Sequence, residues 1–448
     1  MFNWRKGVLN AIYFLAGNAT LRNLRHIKSV EFQSREKLKQ LQDEKLRRLL
    51  LHAYKNVPYY RDALTAAGVV KEGQVSLENF GNIPILTKEI IRQQGKNLYS
   101  RDYRKRKSYT NTSGGSTGEP VTFIQDKEYK AWGMATKQYF MWMLGEELGE
   151  REIKLWGSDR DIIVGSLTLR NRLINWFHNT RFFNCYRLNT QNLTELIKLN
   201  NTFKPKAYWS YMEAAMELAD FISGNKAHFH PPEILVSTIG PLTEEVRNKI
   251  EGSLECKVYN QYGSREVGAI ACECKEQKGL HTFPWWNVVE ILGEDNKPVE
   301  GQEGKVIVTT LHNYSQPLIR YDVGDVAVAS EYGCRCGRNS LRLKKIVGRT
   351  LGYFKKPNGS LVHSHFLVQA LFFKQWIKRF QVIQTDFNRI VIRVERFAKE
   401  APDQRDVDGI TEKVKILMGP DCSVDYEFVD KISRTKSGKY LYTICQVG

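Results

Sequence analysis

Nowhere in the 448 residues does this chain hold a run of about 20 apolar residues, the length a membrane-spanning helix needs. The nearest approach, Val8–Ala16, is short, is interrupted by Asn10 and follows Arg5 and Lys6. A secretory signal has a longer apolar core, so this segment reads instead as an amphipathic helix. It is expected to lie on the protein or, through residues 1–20, against the inner membrane surface, in a chain of cytoplasmic location. Acidic residues are scarce as well: 49 Asp and Glu face 67 Lys and Arg, a formal charge of +18. That excess suits nucleotides, phosphorylated sugars, nucleic acid or acidic lipid without choosing among them. Its densest run, Arg101–Lys107, reads as a solvated loop. Internal repeats and low-complexity tracts are missing, which excludes solenoids and disordered tails. A disulfide framework is excluded too, because eight cysteines sit in a long chain lacking a secretory signature. Cys185, Cys256, Cys422 and Cys445 look like isolated thiols. Also missing is the common nucleotide loop G-x-x-x-x-G-K-[ST].

What is present has the composition of a globular protein, 42% hydrophobic and 26% charged. Glu36–Tyr54 carries Leu38, Leu41, Leu46, Leu49 and Leu50 on one helical stripe, which Pro58 ends. Lys127–Leu144 is an aromatic-rich helix whose Trp132, Tyr139, Phe140 and Trp142 suit a core. From Pro232 strands and helices alternate: strand Glu233–Thr238, helix Glu244–Glu251, strand Lys257–Gln261. Two further strands follow, Val288–Leu292 and Gly304–Leu311. This pattern predicts a large α/β domain of layered sheets and helices. The texture changes at residues 346–350. Strand-like Phe380–Gln384, alternating Ile390–Val394 and a helix near Asp408–Met418 predict a small α+β domain, so the division is placed at 1–346 and 347–448.

The strongest local motif is Thr112-Ser113-Gly114-Gly115-Ser116-Thr117-Gly118-Glu119-Pro120, ahead of strand-like Val121–Ile124. Its glycines allow backbone N–H groups to close on a phosphate, and its hydroxyls add donors. A plain hairpin loop is the bland alternative. Downstream come Tyr262-Gly263-Ser264-Arg265-Glu266, Arg320-Tyr321-Asp322-Val323-Gly324-Asp325, Gly348-Arg349 and Ser433-Arg434-Thr435-Lys436-Ser437-Gly438-Lys439. With these ordered strings the sequence resembles the adenylate-forming (acyl-CoA synthetase-like) superfamily over nearly its whole length. The strings Leu49-Leu50-Leu51-His52-Ala53-Tyr54-Lys55-Asn56-Val57-Pro58-Tyr59-Tyr60 and Ile83-Pro84-Ile85-Leu86-Thr87-Lys88 resemble its phenylacetate–CoA ligase family. Phe380-Gln381-Val382-Ile383-Gln384 is similar to that family's capsular-polysaccharide branch.

The resemblance implies roles. Thr112–Gly118 would wrap the β- and γ-phosphates of ATP, and Glu266 would help bind Mg2+, a hard cation. Asp325 would accept the ribose hydroxyls, while Ile239-Gly240-Pro241 and Tyr259-Asn260-Gln261-Tyr262, continuing into Gly263 and Ser264, would line the adenine. Lys439, with Arg349 at the hinge, would serve the charge growing between carboxylate and α-phosphate. Two departures stand out. Glu119 sits where many relatives carry lysine, and Thr350 and Leu351 replace an acidic hinge residue, which bears on coenzyme A thioester formation. Separately, Cys272, Cys274, His281, Cys334 and Cys336 suit a structural Zn2+. The resemblance selects Cys274, His281, Cys334 and Cys336, with Cys272 to spare. His228, His230, His363 and His365 read as surface histidines.

The leading expectation is thus an enzyme that adenylates a small carboxylic acid and passes the acyl group to a thiol or an amine, such as an amino sugar, in capsular or exopolysaccharide biosynthesis. An aryl-CoA ligase is the second reading and a non-enzymatic polyanion or membrane-surface binder the third. No nucleic-acid partner is expected.

Overall fold

The computed structural model describes residues 3–113, 121–156, 169–185, 188, 190–238, 240, 242–330, 332–349, 353–357, 361–364, 367, 370–371, 374–397, 401–432 and 441–447, with the Arg349 side chain left aside. The chain divides into two compact units, the second formed by Val347–Gly448 together with Gly324–Val326.

The first unit begins with helices α1 (Trp4–Leu15), α2 (Thr20–Val30), α3 (Arg35–Asn56) and α4 (Pro58–Ala66). Ser34 caps α3 by accepting from the Lys37 N–H, and Leu38, Leu46, Leu49 and Leu50 bury its stripe. Val57, held extended by the proline after it, separates α3 from α4. Pro58 therefore opens a helix as well as closing one, because its missing N–H is harmless in a first turn. A small hairpin, β1 (Val70–Lys71) and β2 (Gln74–Val75), and helix α5 (Lys88–Gln94) precede a second hairpin, β3 (Tyr109–Thr112) and β4 (Thr122–Gln125). The basic run 101–107 folds into a 3-10 turn, Tyr103–Arg106, in which Arg106 pairs with Asp102 at 2.7 Å. Arg101, Arg104, Lys105 and Lys107 stay exposed, as expected of a solvated segment.

Helix α6 (Lys127–Leu144) starts at Asp126, whose carboxylate accepts the Tyr129 N–H, and stops at Gly145 in the left-handed region. The chain then builds an eleven-stranded sheet. Its strands are β5 (Glu152–Trp156), β6 (Thr180–Asn184), β7 (Ala207–Tyr211), β8 (Ile234–Thr238), β9 (Lys257–Ser264), β10 (Gly268–Glu273), β11 (Leu280–Thr282), β12 (Asn287–Leu292), β13 (Glu303–Thr310), β14 (Tyr321–Ser330) and β15 (Arg342–Arg349). Helices α7 (Leu169–His178), α8 (Thr190–Phe203), α9 (Met212–Asn225) and α10 (Glu244–Leu254) are the connections among the parallel strands β5 to β9. The sheet order is β12-β13-β14-β15-β11-β10-β9-β8-β7-β5-β6. The central parallel strands β7 and β8 are buried along nearly their whole length, as strands covered on both faces must be. One core gathers Leu49, Leu50, Tyr60, Leu86 and Tyr321, and another gathers Trp132, Tyr139, Phe140, Trp285 and Trp286. Each such side chain contributes about 1.5–3 kcal/mol on burial.

The second unit holds the hairpin β16 (Tyr353–Lys355) and β17 (Leu361–His363) and a four-stranded sheet. That sheet runs β20 (Ser423–Val429), β19 (Arg389–Arg396), β18 (Ile377–Asp386), β21 (Thr443–Cys445), with helix α11 (Gln404–Met418) burying Ile410, Val414 and Met418. Mixed α/β architecture with a small α+β unit is what the sequence predicted.

Candidate functional site

The glycine-rich loop is the turn of the β3–β4 hairpin. Thr112 pairs with Thr122, and Ser113 closes the stem twice. Its N–H donates to the Val121 carbonyl at 2.8 Å, and its hydroxyl accepts the Val121 N–H at 2.8 Å. Gly114, Gly115, Ser116, Thr117 and Gly118 lie outside the described residues. The stem itself is held by buried polar groups that motif reasoning missed. Gln316 accepts the Ile124 N–H at 2.8 Å, and Asn313 donates to the Ile124 carbonyl at 2.9 Å, so two side chains stand in for a neighbouring strand. Asp126 accepts Tyr314 and Ser315 N–H groups at 3.0 and 3.1 Å while capping α6. Only the Asp126 cap left a sequence signal.

Glu266 sits at the β9–β10 turn and is buried. Gln125, the last residue of the loop's stem, donates from Nε2 to the carbonyls of Arg265 at 3.0 Å and Glu266 at 3.2 Å. Tyr129 donates to the Glu266 carbonyl at 3.3 Å, and the Tyr321 hydroxyl meets Glu266 Oε1 at 3.3 Å. Burial raises the Tyr129 hydroxyl well above its ordinary pKa, so it stays a donor. The hairpin admits only glycine at two points: a Cβ on Gly263 would meet the Gly268 carbonyl at 2.4 Å, and Gly268 has φ +70° against Trp286 and Tyr129.

The other motifs turn out to brace this region. Leu86, from Ile83–Lys88, pairs with Tyr321, and Arg320 grips Glu290 with two nitrogens at 3.1 Å each. Tyr60 donates to the Pro317 carbonyl at 3.0 Å and accepts from Ile319, while His52 meets the Tyr314 carbonyl at 3.0 Å. Asp325 lies on β14 and is buried.

The parallel strands end in register: Leu155 pairs with Ser210, Tyr211 with Thr238 and Thr238 with Gln261. Ligands of open α/β sheets bind beyond such carboxyl ends. Trp156 and Tyr211 form an aromatic pair there at 4.9 Å, unmarked by any motif because the pairing is long-range. Asn260, Gln261, Tyr262, Gly263 and Ser264 run along β9, where the Asn260 N–H is fixed by Glu273 Oε2 at 2.7 Å and Glu273 by buried Arg247 at 2.7 Å. Gly240 is exposed with φ +107°. Ile239, Pro241 and Lys439 lie outside the described residues; Arg349 ends β15.

A second cluster joins Cys274, His281, Cys334 and Cys336, whose ligand atoms all lie within 4.8 Å of one another. Cys274 Sγ and Cys334 Sγ are 3.8 Å apart, and Cys336 Sγ and His281 Nε2 3.5 Å. Tetrahedral bonds of about 2.3 Å to sulfur and 2.0–2.1 Å to nitrogen give edges of roughly 3.8 and 3.6 Å, so the four fit a zinc-sized cation. Ser340 meets His281 Nδ1 at 3.3 Å, which leaves Nε2 for the thiols. The hydrogen bond between the two thiols holds Cys336 well below the ordinary thiol range and pushes Cys274 above it. Cys272 is buried one strand position inward, among apolar and aromatic side chains. His228 and His230 join no metal cluster among the described residues.

Residues 354–446 match the CapK C-terminal domain family. Over 412 residues the chain is 24% identical to the protein CapK of Staphylococcus aureus, covering 90% of this chain and 88% of that one. Over 331 residues it is 27% identical to the phenylacetate-coenzyme A ligase of Thermus thermophilus, covering 72% of each. In fold it is similar to 2-hydroxyisobutyryl-CoA ligase in the postadenylation state, with TM-score 0.72, 20% identity and coverage of 93% and 91%.

Proposed function

We propose that this chain, which belongs with the adenylate-forming ligases akin to CapK and the phenylacetate–coenzyme A ligases, joins a carboxylic acid to AMP and then passes the acyl group on. The observation that carries this reading is Gln125, which locks the stem of the glycine loop to the turn bearing Glu266. A phosphate-wrapping loop and a magnesium-binding carboxylate must keep a fixed separation, and one buried amide supplies it. In this reading Ser113–Gly118 wraps the β- and γ-phosphates. Mg2+, held by Glu266, neutralises phosphate charge when bound. Asp325 accepts the ribose hydroxyls, and the β8 and β9 ends line the adenine. The acid's carboxylate oxygen attacks the α-phosphorus and pyrophosphate leaves, Lys439 opposing the charge that grows between them.

The acceptor is the thiol of coenzyme A, whose attack on the acyl carbon expels AMP. Thr350 and Leu351, in place of an acidic hinge residue, favour a second reading in which an amine of a sugar is the acceptor, and the likeness to CapK supports a place in capsular or exopolysaccharide biosynthesis. The Trp156–Tyr211 pair at the strand ends supports an acid with an apolar or aromatic face. The cysteine–histidine cluster holds a structural Zn2+, with no open position for catalysis.

ATP–pyrophosphate exchange over a panel of aryl, hydroxy and uronic acids tests the first step, and no exchange with any of them refutes it. Free-thiol titration during turnover then separates the acceptors: the coenzyme A thiol must be consumed, one per AMP released, if it takes the acyl group.

A further inference from the structure

Helices α1 and α7 pack together in the first unit by contacts that leave their outer faces bare. The Trp4 and Trp176 rings lie 6.0 Å apart, Arg5 sits over both at 4.7 and 5.3 Å, and the Tyr13 hydroxyl meets His178 Nε2 at 3.2 Å. Leu9 and Tyr13 bury the inner side of α1. Its outer side is Trp4, Gly7, Ala11, Ile12, Phe14 and Leu15, with no charge among them. Phe14 is 81% and Leu15 83% exposed on α1, and Leu173, Ile174 and Trp176 are exposed on α7. Seven of the fourteen exposed large hydrophobic side chains among the described residues belong to these two short helices. A soluble surface rarely concentrates apolar groups so strongly without a partner.

Charge identifies the partner. Residues 1–30 contain no Asp or Glu and five Lys or Arg, and residues 162–194 again contain no acid and four Arg. The two helices thus come from acid-free, basic stretches; Lys6 is paired with Glu147 at 2.6 Å, which leaves Arg5 as the unneutralised cation of α1 among the described residues. A second copy on this face would set like charges together, whereas an anionic bilayer complements both the charge and the apolar side chains. Two indoles flanking an arginine suit the headgroup level, with Phe14 and Leu15 reaching the acyl boundary.

We propose that the α1–α7 face docks this protein on an anionic lipid surface, Phe14 and Leu15 inserting and Arg5 and Arg172 meeting headgroups. The test is flotation of the full chain with vesicles of phosphatidylcholine alone or with about 30% phosphatidylglycerol. Binding should appear on the anionic vesicles, weaken as salt rises, and fall roughly ten-fold or more in Phe14→Ser/Leu15→Ser. Trp176→Ser, on the other helix, should also weaken it, and both variants should keep wild-type pyrophosphate exchange. Absence of binding to anionic vesicles, or equal binding by the double variant, overturns the proposal. So does a wild-type dimer that the double variant dissociates, since the face would then belong to a second copy.

Discussion

Replacing Gln125 by methionine keeps the length of the side chain and removes the amide that joins the two halves of the proposed nucleotide site. Gln125 is 2% exposed, so no bulk water replaces the lost donor. The Arg265 carbonyl loses a bond of 3.0 Å, and the Glu266 carbonyl is left to Tyr129 at 3.3 Å. A buried carbonyl deprived of its donor costs about 1–3 kcal/mol, and the weakened second one adds about 1 kcal/mol. Tyr129→Phe alone removes one bond and should cost about 0.5–1.5 kcal/mol. Because Gln125 and Tyr129 share the Glu266 carbonyl, the double variant should depart from additivity by about 0.5–3 kcal/mol in urea unfolding. The functional consequence is a Glu266 turn free to drift against the loop. A misplacement of about 1 Å can cost roughly 100-fold, so pyrophosphate exchange in Gln125→Met should fall about 10- to 100-fold, with a raised Mg2+ requirement. Lost stability with unchanged exchange and Mg2+ dependence would refute the argument, because the amide would then be a structural bond and no more.

Lys439→Ala and Glu266→Gln should each lower exchange by about 100- to 1,000-fold while leaving the unfolding curve near wild type for the lysine variant. Purified protein should carry one zinc per chain by elemental analysis; Cys334→Ser should lose it, and Cys272→Ser should keep it, since Cys272 stands outside the four ligand atoms. Stability should fall on acidification through His178. Burial, aided by Lys154, holds its pKa down at about 4 against an ordinary 6.5. The unfolded chain therefore binds the extra proton between these values, so stability is full above pH 6.5 and falls by roughly 2–3 kcal/mol towards pH 4. His178→Gln should flatten that part of the urea-unfolding profile.

The long elements were legible because their signals are local. Lys127–Leu144 is helical to the residue, since Asp126 caps one end and Gly145 stops the other. Four strands between Glu233 and Leu311 were readable from β-branched runs between turns, β9 continuing three residues past Gln261, whereas β10 and β11 were not. What stayed hidden is whatever one part of the chain does for a distant part. Asn313 and Gln316 replace a β-strand for β4 across nearly 190 residues of chain, and nothing in Leu-His-Asn-Tyr-Ser-Gln announces it. Trp156 and Tyr211 meet only because β5 and β7 pair in parallel. Cys272 and Cys274 share strand parity, so alternation alone offers both to one face. Both are buried in one core, and only the Cys274 thiol comes within 4.8 Å of His281, Cys334 and Cys336.

The same contrast bears on how much chemistry a motif contains. Tyr262-Gly263-Ser264-Arg265-Glu266 reads as a recognition string, yet most of its residues build the turn. Gly263 is required by the Gly268 carbonyl 2.4 Å from where its Cβ would stand, and the Ser264 hydroxyl accepts the Val267 N–H at 3.4 Å. Arg265 offers Gln125 its carbonyl. The Glu266 carboxylate, oriented by the Tyr321 hydroxyl, is the acidic group this string offers a ligand. Arg320 likewise spends its guanidinium on Glu290 and two backbone carbonyls. An arginine so engaged supplies no charge to a substrate. In the proposed reaction the positive charge at the α-phosphate is therefore asked of other motif residues, Lys439 with Arg349, and not of Arg320.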